Sequence, residues 1–233
     1  MLSKISLLQK GVNEILFPHV CELCGHHLPD AYQYICETCL NTRFEVCTFS
    51  ESNINSEVML PEGINFLYTM WKFDKGGYIQ ELLHKLKYNH LKGLGSDLGY
   101  QLGKMIIEKT PLSKESDFLI TPVPLHAKKE RIRGFNQAGV IGEGVHKYTG
   151  FKMIEHGKIV RTKNTKTQTG FTLKKRNENI KNAFSVTQKT SLIGKNCLIV
   201  DDVFTTGATT FELAKTMLNA GVNNIVIASV ACA

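Results

Sequence analysis

Two apolar runs near the end of the chain restrict its fold more than any other feature. Cys197-Leu-Ile-Val200 stops abruptly at Asp201-Asp202, and Asn224-Ile-Val-Ile-Ala-Ser-Val230 follows it. Both are continuously apolar rather than alternating, the pattern of strands buried on both faces. Between them lie a Thr/Gly turn, Val203 to Thr209, and a segment of helical character from Thr209 to Ala220 that Gly221 stops. Strand, helix and strand in that order predict a βαβ unit, and such units need a parallel sheet covered on both faces. Upstream the alternation predicts a strand from Phe66 to Phe73 and a helix from about Gly77 to Glu108, interrupted by Gly93, Gly95 and Gly99. It then predicts a strand from Asp117 to Val123 and a helix from Gln137 to Tyr148. The expected class is α/β.

The beginning of the chain is built on a different plan. Cys21-x2-Cys24 and Cys36-x2-Cys39 are two knuckles that can bring four thiolates to the tetrahedral shell Zn²⁺ prefers. Two such pairs read as a closed, structural zinc site, with His26 and His27 as bystanders. Cys47, Cys197 and Cys232 have no partner at ligand spacing, and the last two fall in predicted core strands as inert thiols. A polar stretch rich in Ser and Asn follows, which divides the chain into a zinc-binding module at 1–47, a linker at 48–64 and the main domain at 65–233.

The segment around Asp201 has the composition of a sugar-phosphate site. In an open α/β sheet a ligand sits at the carboxyl ends of the strands, where Asp201 and Asp202 fall. The backbone amides and hydroxyls of Thr205, Thr206, Gly207, Ala208 and Thr209, opening into a helix, make an anion cradle. Two adjacent carboxylates would repel a second phosphate but accept hydrogen bonds from ribose hydroxyls. A ribose 5-phosphate fits the whole run, whereas a plain helix cap explains one residue of it.

Charge points the same way. The chain carries a formal +7, but His126 to Asn182 holds 14 Lys/Arg against four acids, a net +10, and the remainder is −3. The partner of that stretch is expected to be anionic. Lys128, Lys129, Arg131 and Arg133 are the candidate phosphate contacts, with Phe135, Tyr148, Phe151 and Phe171 available for base stacking, although each aromatic alone is more often core than platform. With 42% apolar and 21% charged residues the chain is not of disordered type, and no apolar run is long enough for a membrane span. The N-terminal stretch carries Lys4, Lys10 and Glu14 too closely for a secretory signal, so the expected location is the cytoplasm, where a disulfide framework is not expected.

The run Cys197-Leu-Ile-Val-Asp-Asp-Val-Phe-Thr-Thr-Gly-Ala-Thr-Thr210 resembles the phosphoribosyl-diphosphate (PRPP) motif of type I phosphoribosyltransferases. Asp117 to Pro124 is similar to the strand leading to the pyrophosphate loop of amidophosphoribosyltransferase, and Arg161 to Gln168 with Arg176 and Asn179 to its mobile loop. Together with Phe17-Pro18 and the cysteine knuckles, Lys87-Tyr88 and Arg133-Gly-Phe-Asn-Gln137, the chain resembles the ComF family of competence proteins from Phe17 to Val230. The resemblance implies a Rossmann-like phosphoribosyltransferase fold that binds PRPP with Mg²⁺, with Lys128, Lys129, Arg131, Arg133, Arg161 and Arg176 on its pyrophosphate and mobile loops. It also implies a cytoplasmic role in DNA uptake during natural transformation, with single-stranded DNA and a helicase-like ATPase as partners. Three readings stay open on the sequence: a PRPP-binding protein of DNA uptake, an active phosphoribosyltransferase with an unidentified acceptor, and a nucleic-acid-binding zinc protein with a vestigial nucleotide site.

Overall fold

A computed structural model of the chain describes residues 18–29, 33–47, 60–88, 91–165 and 178–233. Arg176, most of the expected mobile loop and most of the expected linker lie outside those residues. The chain divides into two units, 1–44 and 45–233. Glu45 to Cys47 therefore go with the larger unit, where Cys47 N donates to Met70 O and Lys72 N to Glu45 O.

The larger unit is α/β, with a five-stranded, wholly parallel sheet in the order β1, β7, β6, β2, β3. These strands are β1 (Ile64–Lys72), β2 (Phe118–Pro122), β3 (Lys152–Met153), β6 (Asn196–Phe204) and β7 (Asn224–Cys232). A two-stranded antiparallel hairpin, β4 (Ile159–Arg161) with β5 (Phe184–Val186), stands apart from it. The apolar runs at Cys197 and Asn224 become central strands, and β7 is buried from Ile225 to Cys232. Pleating sends Ile120 toward one face and Leu119, with Cys197 and Ile199, toward the other. The first face is covered by α3 (Lys92–Lys109) and α5 (Gln137–Thr149), which lie after α2 (Tyr78–Tyr88) and α4 (Ala127–Arg133). The second carries α6 (Ala208–Leu218), whose Leu213, Ala214 and Met217 join Cys197, Ile199, Ile225 and Ile227 in one apolar cluster.

The helix expected from Gly77 to Glu108 is two helices, and the glycines are not what separates them. Gly95 and Gly99 sit buried inside α3. A Cβ on Gly99 would lie 1.9 Å from the Ile141 carbonyl oxygen, and one on Gly144 of α5 would lie 2.0 Å from that of Ser96. The missing side chains let the two helix backbones touch, which fixes α5 and the chain that enters it from β2.

The expectation that Cys47 and Cys232 carry free thiols is corrected: they form a disulfide spanning 185 positions. Their pairing comes from strand placement rather than spacing, because Glu45 to Cys47 run along the edge of β1 near the end of β7. Cys197 is free and buried as expected. Among the described residues no helix is long and apolar enough to cross a membrane.

The smaller unit is held by its cysteines. Val20 and His27 bridge across a turn in which Gly25 takes φ +69°, and Cys36 caps α1 (Glu37–Thr42) by accepting from Cys39 N. Leu28 and Ile35 supply a small buried backing.

Candidate functional site

β6 runs further than the apolar run alone suggests, to Phe204, so Asp201 and Asp202 are strand residues at the carboxyl end of the sheet. Their carboxylates are tied locally: Asp201 Oδ1 accepts from Asp202 N at 2.9 Å and Asp202 Oδ1 from Val203 N at 2.8 Å. The remaining Asp202 oxygen meets Lys87 Nζ at 2.5 Å, where Lys87 projects from the last turn of α2. The two acids consequently differ. Burial and the neighbouring Asp202 charge push the Asp201 carboxyl well above the usual range. Burial works on Asp202 too, but the Lys87 ammonium, the Val203 N–H and Asp201 together outweigh it and hold that carboxyl below the usual range. Lys87 is raised in turn, first by Asp202.

After Phe204 the chain bends through Thr205 and Thr206 into Gly207, the N-cap of α6, at φ +75°. No side chain caps this helix, so the amides of its first turn are open to an anion. Thr206 Oγ1 is buried and, among the described residues, has no hydrogen-bond partner. Ala208 is buried, Thr209 half-buried and Thr205 exposed.

The basic loop arrives from the neighbouring strand. Val123 N donates to Val200 O, carrying β2 one residue further along β6, and Asn136 Nδ2 donates to Val123 O, which ties the start of α5 to the same point. Between them, His126 caps α4, and Gly134 ends it in the left-handed conformation. This brings in Lys129 and Arg133, both half-buried, while Lys128 and Arg131 stay exposed. Arg161 comes from the end of β4, bridged to His126, with Nη2 2.5 Å from Thr165 Oγ1, and its Nε has no partner among the described residues. These cations feel one another. Lys129 is lowered by burial and then by Arg161 and Arg133, Arg133 opposes the rise of Lys87, and Arg161 is lowered by burial while Asp201 pulls the other way. Four cations and two carboxylates thus share the carboxyl end of the sheet, with unsatisfied donors beside them.

Of the residues expected at this site, the structure brings together Asp201, Asp202, the Thr205 to Thr209 turn, Lys129, Arg133 and Arg161. It leaves Lys128 and Arg131 on the surface, and Arg176 lies outside the described residues. Lys87 and Gln137, which the sequence offered only as features of the family resemblance, join those brought together. Gln137 is 2% exposed, accepts from Arg133 Nη1 at 2.8 Å and leaves its Nε2 without a partner among the described residues. No sequence spacing links Lys87 to Asp202, because the fold alone joins α2 to β6. Beside the site, a cavity of about 640 Å³ lies between the end of β2, the start of α5 and the chain from Met153 to Arg161, with Phe135, Glu130 and Glu143 on its walls.

The four-cysteine cluster fits a metal. Sγ atoms of Cys21, Cys24, Cys36 and Cys39 all lie within 4.8 Å of one another. The Cys24 and Cys36 sulfurs are 3.6 Å apart, close to the edge of about 3.8 Å of a tetrahedron with ~2.3 Å zinc–sulfur bonds. Burial pushes the Cys39 thiol up to about 12 and raises Cys36. Against burial, the N–H groups of Cys36, Leu23 and Cys24 bring Cys21 down to about 7. The cluster can hold a metal ion, and loading it must release protons.

No family model matches the chain. It is 29% identical over 213 residues to Competence protein F of Haemophilus influenzae, covering 90% of this chain and 82% of that one. To Competence protein ComFC of Bacillus subtilis it is 26% identical over 208 residues, covering 87% and 73%. To the DNA utilization protein YhgH of Escherichia coli K12 it is 28% identical over 148 residues, and here it spans 62% of the relative's length. Among solved structures, the glutamine PRPP amidotransferase of Bacillus subtilis with ADP and GMP is 17% identical, with a TM-score of 0.39 over 58% of this chain and 26% of that one. That likeness is too slight for any residue to be carried across.

Proposed function

We propose that the chain, which is similar to Competence protein F and Competence protein ComFC, is a ComF-family, PRPP-binding protein of DNA uptake that handles single-stranded DNA in the cytoplasm. What carries this reading is the gathering of Lys87, Lys129, Arg133 and Arg161 around Asp201, Asp202 and the uncapped turn at Gly207. Four cations crowded into one place favour an anion bearing several charges. The donors left open at Thr206 Oγ1, Arg161 Nε and Gln137 Nε2 give its oxygens partners. The turn from Thr205 to Thr209 would hold the 5-phosphate, Asp201 and Asp202 the ribose hydroxyls, and the basic loop the pyrophosphate. Mg²⁺ would enter on that pyrophosphate, since it keeps most of its waters and is commonly held by phosphates and one or two carboxylates.

The cysteine cluster would take Zn²⁺, for which four thiolates are a closed structural set. The names of the relatives support DNA as the wider context, and a helicase-like ATPase as partner rests on the family resemblance alone. A second reading, transfer of the phosphoribosyl group to an acceptor, is favoured by the cavity beside Arg161, which offers room outside the phosphate turn.

Salt-dependent titration with single-stranded DNA tests the DNA part. Lys128 and Arg131 are exposed and stand outside the cation cluster, so neutralising them removes DNA contacts without touching the anion site. The variant Lys128→Gln, Arg131→Gln should bind DNA more weakly at every base sequence. The slope of log affinity against log salt should flatten by about 1.4, at ~0.7 for each lost phosphate contact. Parent-like affinity and slope would remove DNA from the proposal and leave the second reading in front.

A further inference from the structure

The disulfide of Cys47 with Cys232 stands beside the phosphate turn. In register, Cys232 lies between Lys72 of β1 and Phe204 of β6. Its carbonyl accepts from Phe73 N at 2.7 Å, and the next amide, Ala233 N, donates to Phe204 O at 2.8 Å. Phe204 is the residue from which the Thr205 to Gly207 bend departs. On the far side, Cys47 belongs to a short segment laid on β1 by Lys72 N to Glu45 O, Cys47 N to Met70 O and an ion pair of Lys72 with Glu45. The bond therefore joins this segment to the strand end that supports the turn. Cys47 is 0% and Cys232 6% exposed, and neither belongs to the four-sulfur cluster.

We propose that Cys47 and Cys232 are a site of reversible thiol–disulfide modification, and that their bond clasps the strand ends from which the phosphate turn departs. The co-reactant is a low-molecular-weight disulfide. The Cys47 thiolate attacks it, forming a mixed disulfide and expelling one small thiolate. The Cys232 thiolate then attacks the Cys47 sulfur, closing the protein disulfide and expelling the second. Two electrons pass from the protein to the reagent, and the two protons from the cysteines end on the released thiols. Because both sulfurs are buried, exchange in either direction waits on the lifting of Glu45 to Cys47 from β1, so the clasp answers slowly to the surrounding thiol pool. Cys197 does not compete, since burial pushes its thiol up to about 11, with Thr121 opposing.

This inference does not depend on PRPP. The full-length, zinc-loaded protein is exchanged into a buffer of oxidised and reduced glutathione, unfolded in denaturant with chelator, alkylated and weighed. Five of the seven cysteines should take label from the oxidised protein, with a peptide joining Cys47 to Cys232, and all seven after reduction. Hydrogen exchange on the native protein supplies the second readout. Reduction should speed the amides of Cys47, Lys72, Phe73 and Ala233 at least tenfold and leave Leu198 to Val200 unchanged. The double variant Cys47→Ala, Cys232→Ala should exchange like the reduced parent in either buffer. Seven labelled cysteines at every glutathione ratio would overturn the modification site, and amides indifferent to reduction would overturn the clasp.

Discussion

Asp201 and Asp202 are chemically identical neighbours that the fold makes unequal, and their inequality can be measured. Asp202 has its folded pKa depressed by Lys87. Its stabilising contribution is complete above the unfolded value of about 3.9 and is lost as pH falls through the lower folded value. Asp201 has the opposite sign: its folded pKa is raised, so the folded chain holds that proton more tightly than the unfolded one, and stability is lost as pH rises from the unfolded toward the folded value. Asp201→Asn should therefore be more stable than the parent at neutral pH, with a difference that shrinks toward zero below about pH 4. Chemical denaturation at a series of pH values checks this, and a flat difference would contradict the assignment. Asp202→Asn leaves the Lys87 ammonium without its carboxylate and should lose about 1.5–3 kcal/mol, the range for hydrogen bonds to charged groups. The acids themselves stood out in the sequence because they end an apolar run. Lys87 as their counter-ion did not, because only the packing of α2 against the sheet end brings it there.

At the scale of elements, legibility followed burial. The strand–turn–helix–strand at the end of the chain could be read because both faces of its strands are buried, which leaves an uninterrupted apolar signature. The hairpin of β4 and β5 could not, because three-residue strands are too short to show a period. Gly95 and Gly99 were read as interruptions when they are packing contacts, since glycine in a sequence does not tell a break from a close approach. The contact makes a prediction: Gly144→Ala should cost at least the 1–3 kcal/mol or so typical of overpacking, because the new methyl meets backbone, which cannot rotate away. Thermal unfolding reads this directly, and an unchanged midpoint would contradict the packing of α3 on α5. Gly207→Ala carries two penalties, a left-handed backbone at φ +75° and a Cβ 2.3 Å from the Phe211 ring. It should destabilise by about 1–2 kcal/mol from the backbone alone and distort the uncapped turn that begins α6.

The whole molecule is two units with different sources of order. The larger has a core of its own, whereas the smaller is organised around four sulfurs, so metal removal should act on one and spare the other. Chelation, or Cys36→Ser, should loosen the amides of residues 18–44 while the larger unit keeps its cooperative transition. Hydrogen exchange resolved along the chain reads both at once, and joint unfolding would contradict the independence of the units. Fold class and the four-cysteine cluster were visible in the sequence, through the strand–helix alternation and the knuckle spacing. The clasp at Cys47 and Cys232 was not, because it is set by where strands end in space.

Calorimetric titration decides whether the carboxyl end of the sheet binds PRPP, as proposed, through Asp201, Asp202 and the turn that follows. The parent should bind PRPP at one site, more tightly with Mg²⁺ than without. Asp201→Ala with Asp202→Ala, its fold verified by circular dichroism, should show no binding at the same Mg²⁺ concentration. Equal affinity in parent and variant, or no heat from the parent at millimolar PRPP, would overturn PRPP binding at these residues.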